Sequence, residues 1–278
     1  MIKMVVEVWR KRAVLRHFVS VQLTTSYRTK TFGFLWALLN PLLFMCVYYF
    51  VFGTLIAHRP LWFMLHIYMG IISFRFLTGS ITQSAHIIKG NAGLIREIAF
   101  PKAVLPLSVV ITRFFDLVVG CVGAIIIGYA FHVNPTPLWA LVPAFLLVQL
   151  VFVLGASYLT AYVGVFFADI ENFLEVGTRL WFYLSPVLYP LSDVAKRVKG
   201  KPLVFDIYLA NPMTGILVGH DFAIFMNHPA LLTSFQDHNM ELFYPGVFIL
   251  RSLLAGVVVL VIGLYVFSRA EGQIGKYV

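Results

Sequence analysis

The stretch FGFLWALLNPLLFMCVYYFVFG, Phe32–Gly53, decides how the rest of the chain is read. It is almost wholly apolar and long enough to cross a bilayer, which takes about 20 residues of helix. Yet Asn40 and Pro41 stand near its middle. Proline removes a helix donor and bends the helix beside it, and an unpaired amide is costly in hydrocarbon. Trp36, Asn40, Phe44, Tyr48 and Phe52 recur every fourth residue, so a helix lines them up as one slanting ridge. Two readings of the ridge are open. It is either an ordinary packed span with interfacial aromatics, or the wall of a wet pathway in which water reaches Asn40. Aromatic faces bind the apolar faces of sugar rings, and Asn and Tyr exchange hydrogen bonds with hydroxyls.

Composition extends the membrane reading to the whole chain. Of 278 residues, 60% are hydrophobic and 12% charged, about half the charged share of a soluble domain. Six segments qualify as spans: Phe34–Ile56, Leu61–Gln83, Val104–Tyr129, Leu138–Val165, Phe173–Leu191 and Pro245–Phe267. In the fifth, Glu175 and Arg179 stand four apart, a spacing that allows a local ion pair. Trp181, Phe182, Tyr183 and Tyr189 give this segment its own aromatic surface, a candidate wall facing the first span, and it ends in SPVLYP. The expected fold is all-α, one domain of six transmembrane helices. Between the fifth and sixth spans, apolar runs around Asn211 predict short external re-entrant helices, since backbone at that depth must be covered by protein.

Residues 1–31 form no signal peptide, because they lack a continuous apolar core. Val14, Leu15, Phe18, Val19 and Leu23 recur at helical spacing opposite Arg12, Arg16 and His17. That pattern predicts an amphipathic helix on the membrane surface. Its cations Arg10, Lys11, Arg12 and Arg16, with Arg28 and Lys30 nearest the first span, are candidates for a pyrophosphate or lipid headgroup. The short loops around Lys89, Arg96 and Lys102, and the tail with Arg269 and Lys276, carry cations too. Both termini are therefore expected in the cytoplasm. The net charge of +9 is explained by this topology and by anionic lipid; no nucleic acid partner is expected.

Little in the sequence supports covalent chemistry. No Cys/His cluster has metal-ligand spacing, and GQIGK at Gly272–Lys276 lacks the spacing of a phosphate-binding loop. No catalytic residue and no metal is expected. Arg75, Arg113 and Asp116 are costly inside a membrane; Arg113 and Asp116, three apart, suit a structural ion pair, with Arg75 near. Gly120, Ala124 and Gly128 form a small-residue row that permits close helix packing.

Taken together, several motifs resemble those of the ABC-2 type permeases that export polysaccharides. GFLWALLNPLL with VYYFVFG, GNAGLIREIAFPKAVLPL (Gly90–Leu107), FFADIENFL, LSPVLYPLSDV and LANPM occur in the family's order across nearly the whole chain. The chain departs from it at Ala168-Asp169, where the family has Arg-Asp. The resemblance implies a half-transporter that pairs with a second copy of itself and docks two copies of a cytoplasmic ABC ATPase. ATP and Mg would be bound there, and this chain would hold no cofactor. It implies a coupling segment at Gly90, Asn91, Leu94, Ile95, Arg96, Glu97 and Ile98. It also implies a cargo of polyprenyl-pyrophosphate-linked glycan, of the O-antigen or teichoic-acid type, moved across the cytoplasmic membrane. The alternatives are an ABC-2 exporter of a drug or small lipid, or an integral glycosyl or phosphosugar transferase.

Overall fold

The computed structural model describes residues 2–28, 33, 35–133, 136–167, 169–225 and 245–277. All regular elements among them are helical. The N-terminal segment is two helices, α1 (Ile2–Arg10) and α2 (Arg12–Arg28), broken at Lys11. The first span is α3 (Leu35–Tyr48) continued by a π-helical stretch, Tyr49–Ile56. Next come α4 (Phe63–Gly90), α5 (Ala92–Glu97) and α6 (Val104–Ala130). A 3-10 turn at Pro137–Leu141 leads into α7 (Val142–Phe166). The remaining elements are α8 (Ile170–Tyr183), α9 (Leu191–Arg197), α10 (Pro202–Leu209), α11 (Pro212–Phe225) and α12 (Pro245–Tyr277).

Among the described residues, five helices are long and apolar enough to cross a membrane: Leu35–Ile56, α4, α6, Pro137–Phe166 and α12. α4 is the central one, buried along most of its length between α6, α7 and α3. The Gly120–Ala124–Gly128 row is buried inside the chain, with Gly120 against Ile72 of α4. α7 and α12 cross closely, backbone against backbone. A Cβ on Gly155 would stand 2.5 Å from the Leu260 backbone, and Gly263 faces Gly155 in turn. Gly155→Val should therefore force the two helices apart, an overpacking cost of about 1–3 kcal/mol, read as a lower unfolding temperature of the purified chain.

The fifth expected span, Phe173–Leu191, is not one continuous helix. α8 has 14 residues, about 21 Å of rise, short of a hydrocarbon core of about 30 Å. Pro186 ends it, since the residue before a proline is pushed out of helical geometry. The chain still makes the passage. Glu171 contacts His86 near one end of α4, Val187 packs on Gly70, and Asp193 then pairs with Arg59 beyond the other end. The sixteen residues between His86 and Gly70 span about 24 Å, covered by α8 and the irregular Leu184–Pro190 turn.

α10 and α11 meet at 83° across Ala210-Asn211 and could pass for a broken span by length. Their contacts show a return instead. Asn211 sits deep, receiving the Trp181 indole N–H at 2.9 Å and donating to Ser185 Oγ at 2.9 Å. The far end of α11 lies with the ends of α4 and α7: His66 Nδ1 is 2.8 Å from Asp221, Trp139 donates to Ile224 O, and Trp62 packs on Phe225. That is also the Arg59–Asp193 end. α11 is buried along nearly its whole length, which supplies the protein cover such backbone needs.

Candidate functional site

At the other end of the bundle, α1, α2, α5 and the ends of α6, α7 and α12 converge. Met4, Ile88, Leu105, Tyr158, Phe267 and Ile274 form a small second core there, with Phe18 stacked on Phe100. Glu271 of α12 accepts from the backbone N–H of Lys102 (2.8 Å) and Ala103 (3.4 Å), while Lys102 Nζ donates to the Glu271 carbonyl. A carboxylate here satisfies the open donors at the start of α6 and opposes its dipole. It ties the last helix to the connection that leaves α5.

Within that connection, Gly90 ends α4 and Asn91 precedes α5, its amide donating to Ile87 O at 2.7 Å. Leu94 is half-buried, and Arg96, Glu97 and Ile98 are exposed. Ile95 turns inward and packs on the second core. The six-residue helix thus stands on its own membrane domain and offers its other side outward.

α2 runs along α6. Gln22 donates to Ser108 Oγ at 2.8 Å, and Tyr27 donates to Asp116, so the helix advances along α6 into the bundle. Burial, then the Asp116 carboxylate, push the Tyr27 phenol above its ordinary range, which keeps it a donor. Arg10, Lys11, Arg12, Arg16 and Arg28 are exposed along α1 and α2; Lys30 lies outside the described residues.

The ridge of α3 meets α8. Phe44 stacks on Tyr48 (6.1 Å, 28°), and Tyr48 packs on Phe182 (5.8 Å) and Phe52 (6.4 Å). Phe44, Tyr48 and Phe182 line a cleft of about 480 Å³ with Asn40, Arg75 and Tyr183. Glu175 and Arg179, paired at 2.7 Å, edge the same cleft. Trp181 faces away, into the core against Phe74 and Phe152. Tyr189 bonds the Tyr183 carbonyl at 2.7 Å and, with Phe52, lines a separate cavity of about 680 Å³ beside Arg59 and Asp193.

Arg113 and Asp116 pair at 3.3 Å, with Gln83 accepting from Arg113 Nε at 3.0 Å. Arg75 lines a cavity with both but makes no hydrogen bond or ion pair with either. Nothing local marks Gln83, Tyr27, His86 or Glu271 as partners, because each contact joins positions distant in the chain.

Residues 14–220 match the ABC-2 type transporter family. The chain belongs to that family, and is a multi-pass membrane protein of the transport-subunit kind. It is similar, at 32% identity over 228 residues (82% of this chain and 86% of the relative), to the O-antigen export system permease protein RfbA of Myxococcus xanthus. At 27% identity over 257 residues (90% of this chain, 88% of the relative) it is similar to the RfbA protein of the same description from Klebsiella pneumoniae.

Proposed function

We propose that the chain is the permease subunit of an exporter that moves a polyprenyl-pyrophosphate-linked polysaccharide of the O-antigen type across the cytoplasmic membrane. The observation that carries the reading is the cleft between α3 and α8, where stacked aromatic faces stand beside an amide and a guanidinium. That surface suits sugar rings and their hydroxyls. Similarity to O-antigen permeases over most of their length supports the same cargo class. The working unit in this reading is two copies of the chain with two copies of a separate ATPase. ATP and Mg sit in the ATPase, and α5 transmits its motion. The open apolar face of α8, with Phe173, Val176 and Leu180 exposed, suits a second copy across the pathway.

The test is reconstitution. The chain, co-purified with its ATPase, should move a fluorescent lipid-linked glycan into vesicles only when both ATP and the ATPase are present. Transport by the chain alone, driven by an ion gradient, would overturn the reading. Orientation is checked separately in intact cells, in a chain whose free Cys46 and Cys121 are replaced. A membrane-impermeant thiol reagent should label Lys199→Cys and leave Lys3→Cys unlabelled; both positions are exposed in the fold. The opposite pattern would place α5 outside the cell and end its role as ATPase dock.

A further inference from the structure

A third cavity, of about 330 Å³, lies where α2, α3, α4 and α6 meet. Ser26, Tyr27, Asn40, Arg75, Arg113 and Asp116 supply its polar lining. Its charges are unevenly matched. Asp116 has both oxygens engaged, one by the Tyr27 hydroxyl and the other by Arg113 Nη1. Arg113 in turn is held by Asp116 and Gln83. Arg75 has no hydrogen bond or ion pair with any described residue, and its side chain is exposed to the cavity. It stands near the middle of α4, at a depth where an unmatched charge is costly unless water or a ligand meets it. Asn40 and Arg75 also line the aromatic cleft, so they stand where the two spaces adjoin.

We propose that this cavity is a phosphate site, in which Arg75 receives the phosphate or pyrophosphate of a lipid headgroup arriving along α2. A guanidinium holds phosphate oxygens through two parallel hydrogen bonds, and the Asn40 amide and Ser26 hydroxyl add neutral donors beside it. The Arg113–Asp116 pair and Tyr27 fix the wall and leave Arg75 as the cavity's cation without a hydrogen-bonded partner among the described residues. A headgroup seated there directs whatever it carries past Asn40 into the cleft lined by Phe44 and Tyr48. Only this last step, the identification of the headgroup as cargo, rests on the exporter reading.

The experiment uses the chain in nanodiscs without any ATPase, and measures retention of three probes: polyprenyl pyrophosphate, phosphatidylglycerol and inorganic pyrophosphate. Saturable binding of a phosphate lipid is expected. Arg75→Gln should weaken it about ten-fold or more, the loss of a charge-assisted contact, while Arg75→Lys should retain part of it. Asp116→Asn keeps the shape and removes the negative charge, so it should tighten binding. Arg75→Gln binding like the parent chain, or Asp116→Asn binding more weakly, would overturn the phosphate site. The second result decides even if Arg75→Gln fails to fold. Preference for polyprenyl pyrophosphate over phosphatidylglycerol assigns the site to cargo. Equal binding supports a general lipid-phosphate site, and binding of inorganic pyrophosphate alone overturns the lipid route. Because nothing is transported in this assay, its failure leaves the exporter reading standing, and failed export with intact binding overturns only that reading.

Discussion

Leu94→Asp is expected to detach the partner ATPase while leaving the membrane domain folded. The two sides of α5 differ. Ile95 packs inward on the core that holds Ile88, Ala103 and Phe267, so it anchors the helix. Leu94 is half-buried, and Ile98 is 54% exposed with no buried role. In the proposed complex these two residues enter a cleft of the ATPase. A carboxylate at Leu94 would then be buried without a partner, at a cost of about 3–5 kcal/mol. That corresponds to a loss of roughly a hundred-fold or more in docking. Mass measurement should show free permease, ATPase stimulation should vanish, and the unfolding temperature of the chain itself should stay near the parent value. Ile95→Asp is the useful contrast, since it should lower that temperature. Unchanged assembly and unchanged ATPase stimulation in Leu94→Asp would mean that α5 is not the dock.

Glu271 bears on the same coupling. Its carboxylate holds the backbone at Lys102 and Ala103, where the connection from α5 becomes α6. In the proposed complex, a push on α5 would reach α12 through this charge-assisted contact as well as through apolar packing. His86 and Glu171 provide a second link, from the last turns of α4 to the start of α8. α8 carries Phe182 and Tyr183, so this link leads from the α5 end to the aromatic cleft.

The sequence was most legible where the determining contacts are local. Apolar segments longer than the hydrocarbon core predict helices almost by themselves, as at α4, α6 and α7. Arg113–Asp116 and Glu175–Arg179 follow from spacings of three and four on one helix. Legibility failed where distant residues decide. Nothing in the sequence near Tyr27 announces Asp116, or near His66 announces Asp221. The fifth span shows the same limit. Its hydropathy suits one long helix, yet Pro186 ends α8 and Asn211 secures Ser185 in the turn that follows. The first span held a different surprise. α3 runs continuously through Pro41, and regular geometry is lost only at Tyr49–Ile56. There the Tyr49 ring lies over Gly53, where a Cβ would stand 2.5 Å from it, and its hydroxyl reaches the Arg59 carbonyl at 2.8 Å. That glycine reads as unremarkable until the ring above it is seen.

Phe44→Ala is expected to slow glycan export with little loss of stability, and Tyr48→Ala to reduce both. The difference comes from what each ring touches. Phe44 is 51% exposed and, among the described residues of the cleft, stacks on Tyr48 alone. Tyr48 also packs on Phe52 and on Phe182 of α8, so it helps hold the two helices together. If sugar stacks on this wall as bases stack on aromatic side chains, removing one face costs about 1–3 kcal/mol. Export per assembled complex should then fall between about five-fold and a hundred-fold. ATP hydrolysis without cargo should be unchanged for Phe44→Ala, because the ring lies far along α3 from the α5 end. A cysteine at position 44, in a chain lacking Cys46 and Cys121, should react with a water-soluble thiol reagent and be protected by the lipid-linked glycan. A lipid-facing ridge makes the opposite forecast. The cysteine would react only with a membrane-soluble reagent, and Phe44→Ala would export at the parent rate. Those two results together would reduce the stretch from Phe32 to Gly53 to a packed helix, and Asn40 would then need a protein partner rather than a wet cavity to account for it.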